Sequence, residues 1–287
     1  MKAPDIAYLR VASLQEALAA LAHHGDDAMV LAGGQSLMAM HNLRVAHAGV
    51  LVDINRFPGM DAIRVQDGVL AIGCLVRHAA LEASALVQRH APLIAQAMPH
   101  VAHHAIRNRG TIGGSLALAD PAAEMPACCV ALDAVLVAAG LGGTRRIGAA
   151  DFFTGLYETA LRPGELLIEV QLPLAAPDAV QRFAEIARRH GDFAIAGAAL
   201  AARRHGESLR AVRLALLGMG DRPLLAQRTM ALLEGKDPAR IAAPALAAAL
   251  ADDADPLDDP AYPAAYRRRV IEVVVRRMLD AVAGQAA

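Results

Sequence analysis

The sequence predicts a mixed helix-and-strand fold in two domains, and three observations carry that prediction. Its 287 residues suffice for two domains or one large one. Short apolar, strand-like runs recur between stretches of helical periodicity along the whole chain. After the strand-like "GELLIEVQLP" at 164–173 the composition loosens into "LAAPDAVQ", the best candidate for a domain boundary.

The first element is a helix over "SLQEALAALAH" at 13–23. Ser13 with Glu16 three residues on forms a capping box, and Leu14, Leu18 and Leu21 share one face. His23 and His24 fall at its C-terminal end, where cations suit the helix dipole. "AMVLAGG" then reads as a buried strand closing on a glycine turn, "LMAMHNL" as a helix start and "GVLVDINR" at 49–56 as a second buried strand. "AIRVQDG" and "VLAIGCLV" form a hairpin through Asp67-Gly68, since Asp-Gly tolerates the positive φ such turns demand. Helices are predicted around 78–88 and 90–99, with a second glycine turn at 110–115. A further helix is predicted from Pro121, with Glu124 near its start, and then the strand "AVLVAAG". Beyond the boundary come strand-like "RFAEIAR" and "LRAVRLALLGMG", and an Ala-rich, solvent-facing helix in "PARIAAPALAAALADDADP". The last helix, "YRRRVIEVVVRRMLDAV", sets Val270, Val273, Val274 and Leu279 at helical spacing. The arginines between them form a solvated face or a surface for a partner subunit.

Composition narrows the function classes. Hydrophobic residues make up 55%, much of it alanine, with 3% aromatics and no Trp, so the core rests on Leu, Val, Ile, Met and Ala. Lys and Arg number 28 against 29 Asp and Glu, and no basic stripe appears, which argues against a nucleic-acid partner. Cys74, Cys128 and Cys129 offer no C-x-x-C and no usual disulfide pairing, as expected of a reducing compartment. The N-terminus lacks a secretion-signal pattern, and no apolar run approaches the ~18 residues of a membrane span, so a cytoplasmic location is expected. His100, His103 and His104 have a spacing that could ligate a metal, but no carboxylate accompanies them locally. They read as surface or subunit-contact residues, and no metal site is expected.

Two bare stretches carry the chemistry: "AGGQS" at 32–36 and "TIGGS" at 111–115. Glycine admits positive φ and the close approach of another backbone or a ligand. Successive N–H groups in such a turn can converge on an anion without any basic side chain. Hydroxyls flank both pairs, at Ser36, Thr111 and Ser115, so two turns facing one another could clamp a diphosphate. Neither stretch is G-x-G-x-x-G or a P-loop, and between 31 and 56 the only Lys or Arg residues are Arg44 and Arg56.

These stretches resemble the two FAD-pyrophosphate loops of the medium, flavin-binding subunit of the molybdenum hydroxylases, the xanthine dehydrogenase and carbon monoxide dehydrogenase family. "LVDINR", "IRNRGTIGGSLALADPAAEMP", "RRHGDFAIAG" and "YRRRV" extend the resemblance over almost the whole chain. It implies an α+β fold: a two-subdomain FAD-binding domain of the vanillyl-alcohol-oxidase (PCMH) type over 1–176, with subdomains of about 1–56 and 57–176. A smaller α+β domain of the CO dehydrogenase flavoprotein C-terminal type is implied over 177–287. The resemblance further implies an oxidoreductase complex with a large molybdopterin-binding subunit, carrying a molybdopterin cytosine dinucleotide-type cofactor, and a small subunit with two [2Fe–2S] clusters. These would assemble as a dimer of heterotrimers, in which electrons reach FAD on this chain and leave to an external acceptor.

By the same resemblance Ala32, Gly33, Gly34, Gln35 and Ser36 hold the pyrophosphate from one side, and Thr111, Gly113, Gly114 and Ser115 from the other. Glu124 stands where the family has an acidic residue on the adenosine ribose, more often Asp, and Ile168 would pack near the adenine. Asp192-Phe193 matches a stretch near the isoalloxazine. A branch of the family that reduces aromatic acyl-CoA carries an additional [4Fe–4S] cluster on this subunit, and three scattered cysteines cannot supply its ligands. No nucleophile–base pair is recognisable; in a flavin subunit the redox chemistry belongs to the cofactor. A self-sufficient FAD-dependent oxidase or dehydrogenase, and a flavin-free scaffold, are the alternatives. The hydroxylated substrate (an N-heteroaromatic compound, an aldehyde or carbon monoxide) and the terminal acceptor are not written in this subunit.

Overall fold

A computed structural model of the chain describes residues 5–284. The N-terminal unit is β1 (Ala7–Arg10), α1 (Leu14–His24), β2 (Ala28–Leu31), α2 (Leu37–Asn42) and β3 (Val50–Asp53). Ser13 caps α1 by accepting the N–H of Glu16, while the Glu16 carboxylate reaches back to the N–H of Ala12. The three strands pair in parallel in the order β1-β3-β2. Central β3 is buried throughout, which is why "VLVD" shows no polar alternation. Val50, Val52 and Ile54 pack with Leu18 and Leu21 of α1 into a core of their own.

Next come β4 (Ile63–Gln66) and β5 (Val69–Gly73), hairpinned through Asp67 and Gly68 at φ 50° and 78°, the left-handed pair that a type I′ turn requires. The helices α3 (His78–Ala83), α4 (Ala85–His90), α5 (Pro92–Ala97), α6 (His104–Arg107), α7 (Ile112–Leu118) and α8 (Glu124–Ala131) follow. Then come β6 (Val135–Gly140), β7 (Gly143–Gly148), α9 (Ala149–Phe152), the small pair β8 (Phe153–Gly155) and β9 (Glu158–Thr159), and β10 (Leu166–Pro173). The second sheet is antiparallel in the order β4-β5-β10-β6-β7. The register of β10 on β6 slips between Leu167 and Glu169, so Ile168 is a bulge residue. Bulges re-aim side chains, and Ile168 packs against the core of the N-terminal unit alongside Ala32 and Val30.

The third sheet holds β11 (Ala179–Ala187), β12 (Ala194–His205), β13 (Ser208–Leu217) and β14 (Leu224–Leu225), antiparallel in that order. The helices α10 (Gln227–Leu233), α11 (Ala243–Asp253) and α12 (Ala264–Ala283) complete the chain. Ala198 and Leu200 of β12 share a core with Val270, Ile271 and Val274 of α12. Ala199, Ala215 and Leu217 instead join the core built around α5 and α8. The sheet is therefore covered on both faces, and its two halves of side chains serve two different cores.

Three sequence expectations change. Gly113 and Gly114 are not a turn: they form the first turn of α7, capped by Thr111, and neither has positive φ. Helix α8 begins at Glu124, and Pro121 lies in the preceding turn, where its carbonyl accepts the N–H of Gly218 at 2.8 Å. On α12 Val273 is 43% exposed, and the apolar face is instead Val270, Ile271, Val274, Val275, Met278, Leu279 and Val282. An extra residue per turn, at Ile271, Val275 and Val282, makes a wider stripe than the one read from the sequence.

Candidate functional site: a cleft between two glycine stretches

Strand β2 delivers the first glycine stretch and α7 begins with the second, and the fold brings the two together. A Cβ placed on Gly33 would stand 2.4 Å from the carbonyl oxygen of Arg109 and 2.8 Å from Cα of Gly110. Main chain therefore touches main chain there, which only glycine allows. Gly34 has φ 69°, so the backbone turns away into α2. Among the described residues no acceptor stands against the N–H groups of Gly33, Gly34, Gln35 or Ser36. Four successive donors without protein partners, running from buried Gly33 to exposed Gln35 and Ser36, are an arrangement that can accept an anion. Gln35 does not reach outward; its Nε2 braces the loop by donating to the Gly33 carbonyl at 3.0 Å. The Ser36 hydroxyl is not spent on capping α2.

The second stretch works differently from the sequence expectation. The N–H of Gly113 is taken by the Cys74 carbonyl at 3.0 Å, and that of Gly114 by Thr111 Oγ1 at 3.0 Å. These glycines are thus not a second set of free donors. Gly113 exists for packing, because a Cβ there would lie 2.4 Å from Cβ of Cys74. At Gly114 a Cβ would meet only Thr111 Oγ1, at 2.9 Å, and the residue is exposed. The wall thus offers a bare Cα at Gly114, Ser115 beside it and the positive end of α7.

Ala32 and Ile168 both pack against the same apolar cluster. Glu124 lies beyond the turn Asp120–Ala123 from α7, buried to 7% exposure where α8 meets the third sheet. Burial first, and the charge of Glu185 second, push its carboxyl up to about 8, so it is protonated at neutral pH. His100 lies 3.4 Å from Glu185 and stacks on His190, while Asp120 is the other carboxylate acting on Glu124. His100 is therefore an ion-pair partner at a domain contact; among the described residues no group of His, Cys, Asp and Glu could hold a metal. Gly191 is seated on Ala102 and His103, and the Phe193 ring is 68% exposed.

Four residues that the sequence reading passed over make side-chain bonds around these elements. Asn55 donates to the Ala32 carbonyl, Arg77 donates to Asn55 and to the Arg109 carbonyl, and Asp120 accepts from Tyr157. Asn55 lies inside the recognised "LVDINR", but nothing in that string assigns it a partner. A separate cleft of about 530 Å³ opens between the end of α1 and the β6–β7 hairpin, away from every predicted site residue. Its Arg145 is already paired with Glu165 at 2.7 Å, so it offers little net charge to a ligand.

The state of Glu124 has a pH consequence. Its folded pKa of about 8 stands above the ordinary 4.5, so its contribution to stability is complete below pH 4.5 and drains away up to pH 8. Glu124→Gln keeps the neutral shape, so the variant should gain on wild type by roughly 3.5 kcal/mol as the pH rises from 5 to 8. Chemical denaturation at several pH values measures the gap, and a gap that stays constant would refute a protonated Glu124.

Fold and site together are those of a two-unit nucleotide-binding domain, a parallel sheet and an antiparallel one with two glycine stretches brought together where they meet. Residues 4–175 match the model of the FAD binding domain in molybdopterin dehydrogenase, and residues 181–282 that of the CO dehydrogenase flavoprotein C-terminal domain. The chain is 40% identical to the 6-hydroxypseudooxynicotine dehydrogenase complex subunit alpha of Paenarthrobacter nicotinovorans, over 97% of this chain and 95% of that one. It is 34% identical to the carbon monoxide dehydrogenase medium chain of Hydrogenophaga pseudoflava, over 97% of each. A solved structure of carbon monoxide dehydrogenase from that organism superimposes with a TM-score of 0.96 at 35% identity, covering 100% of both chains. Quinoline 2-oxidoreductase from Pseudomonas putida 86 superimposes at 0.92, also at 35% identity, covering 100% of this chain and 99% of that one. The chain belongs to this family: it is an FAD-binding medium subunit of the molybdenum hydroxylases, a component of an oxidoreductase. No helix among the described residues is long and apolar enough to cross a membrane.

Proposed function

We propose that this chain is the electron relay of a heterotrimeric molybdenum hydroxylase and does not itself hydroxylate substrate. Bound FAD supplies reversible one- and two-electron chemistry. The protein's part is to hold it, orient it and govern access. The N–H groups of Gly33 to Ser36 face the diphosphate from one side; Thr111, Gly114 and Ser115 line the other, with Gly113 letting α7 approach β5. Ile168 and Ala32 give the adenosine end its apolar contact, and Glu124, protonated, is a hydrogen-bond donor for the ribose. Electrons arrive from two [2Fe–2S] clusters on a small partner, downstream of a molybdenum centre on a large one, and leave to an external acceptor. The complex is a dimer of heterotrimers in the cytoplasm. The FAD-binding domain spans 1–176, with subdomains of about 1–56 and 57–176, and the C-terminal domain spans 177–287.

The observation that carries this reading is the run of unpartnered N–H groups at 33–36, set against the bare start of α7. Gly114→Asp tests it, because the space beside Gly114 is open except for one hydroxyl, so the change asks little of folding. A carboxylate about 5 Å from a diphosphate, at an effective dielectric near 20, is opposed by about 3 kcal/mol. That is roughly a hundredfold in affinity. The complex carrying Gly114→Asp should purify assembled but without the yellow flavin spectrum. Full non-covalent FAD in that variant, or none in wild type, rejects the proposal.

A further inference from the structure

Asn55 and Arg77 stand behind the cleft and between them touch both walls. Asn55 follows β3, and its Nδ2 donates to the carbonyls of Ala32 at 2.8 Å and Leu31 at 3.3 Å, both on the first wall. Its own N–H and Nδ2 also engage Asp53 Oδ1, at 2.9 and 2.7 Å, which fixes the amide's orientation. Asn55 Oδ1 accepts from Arg77 Nη2 at 2.6 Å. The other terminal nitrogen, Nη1, donates to the Arg109 carbonyl on the second wall, the same oxygen that a Cβ on Gly33 would strike. The main chain of Arg77 is itself laced to that wall. His78 N–H donates to the Gly110 carbonyl at 3.0 Å, and Ile112 N–H donates to that of Val76 at 3.1 Å.

One guanidinium therefore bridges the Asn55 amide, which grips the first wall, and the carbonyl that leads into the second. Arginine suits the task because its planar fork presents two donors in fixed geometry, whereas an ammonium is a single point. The fork also brings a positive charge close to a cleft that has no lysine in either glycine stretch. Burial, and then the neighbouring Arg109, lower the Arg77 pKa, which marks it as a charge held partly out of water. Of the other arginines on this wall, Arg107 is spent on Glu82 at 2.9 Å and Arg109 is exposed.

We propose that Arg77, oriented by Asn55, is a positioning residue that sets the separation of the two walls and adds a half-buried positive charge beside the diphosphate site. This rests on the reading of the cleft as the diphosphate site, and the experiment separates the two. The full chain is stripped of flavin, and binding of FAD, ADP and FMN is titrated for wild type, Arg77→Met, Arg77→Lys, Asn55→Ala and the double variant Asn55→Ala/Arg77→Met. Wild type that binds neither FAD nor ADP overturns the site itself. Given wild-type binding, Arg77→Met should weaken FAD and ADP in parallel, by about a hundredfold, with little effect on FMN. Arg77→Lys, which keeps the charge but not the fork, should recover only part of the loss. Asn55→Ala should cost about tenfold, and the double variant should be no worse than Arg77→Met, because the two residues act as one unit. The melting temperature of the flavin-free chain should fall by only a few degrees, which separates positioning from loss of fold. Unchanged affinity in Arg77→Met, full recovery in Arg77→Lys, or additive losses in the double variant would each overturn the proposal. If Arg77→Met does not fold, Asn55→Ala decides alone: affinity within twofold of wild type rejects the clamp.

Discussion

Gly33→Ala should separate the two walls of the cleft. The added methyl would stand 2.4 Å from the Arg109 carbonyl oxygen, 2.8 Å from Cα of Gly110 and 3.0 Å from the Arg109 carbonyl carbon. All three are main-chain atoms, so no side chain can swing aside to make room. Relief requires the walls to part by about 1 Å, the gap between that contact and van der Waals distance. Overpacking of this kind costs about 1–3 kcal/mol. The parting would also pull the Arg109 carbonyl from Arg77 and move the free N–H groups off the ligand. The expected result is a folded complex whose FAD affinity falls about thirtyfold, by the usual 1.4 kcal/mol per decade. Flavin content after extensive dialysis reads this directly, and full retention would show that the walls are not in contact in the working protein.

Gly113→Ala should be the more damaging change, and to stability before binding. Its Cβ would lie 2.4 Å from Cβ of Cys74 and 2.7 Å from the Cys74 carbonyl, the acceptor of the Gly113 N–H. Cys74 is fully packed and its own N–H donates to Ile168 at 3.1 Å, so the β5 end, α7 and the bulge of β10 would all have to shift. A loss of about 3 kcal/mol is expected, at the upper end for overpacking. Chemical denaturation measures it, and the rescue pattern is diagnostic. Cys74→Ala should restore nothing, because the clash is with Cβ and not sulfur, whereas Cys74→Gly should restore part. Rescue by Cys74→Ala would show that the thiol, not the backbone, sets the spacing.

Much of this architecture is legible in the sequence because local chemistry and global fold agree. The capping box at Ser13, the Asp67-Gly68 hairpin and the buried run of β3 each announce themselves through one physical rule. Strand β12 does not, because helices cover both of its faces and alanine fills it, leaving neither alternation nor bulk as a signal. Gly113 and Gly114 mislead for a related reason: a glycine pair reads the same whether it supplies positive φ or mere thinness. Here the first pair includes the positive φ of Gly34, and the second gives only the close approach at Gly113. The first bare stretch, "AGGQS", with its close approach at Gly33 and positive φ at Gly34, stands out in the sequence. The clamp behind it does not, because Asn55 and Arg77 are 22 residues apart and meet only once two sheets are in place.

The third sheet's divided allegiance bears on how such subunits can be recombined. Odd and even positions of a single strand answer to different neighbours, Ala199 inward to α8 and Leu200 outward to α12. A seam drawn through the connector at 174–178 divides the text of the chain and leaves its packing whole. A chimera spliced there from two relatives would have to match side chains across an interior and not across a surface. Each half is in effect cut to the other's measure, and the currency of exchange between these proteins is the entire subunit.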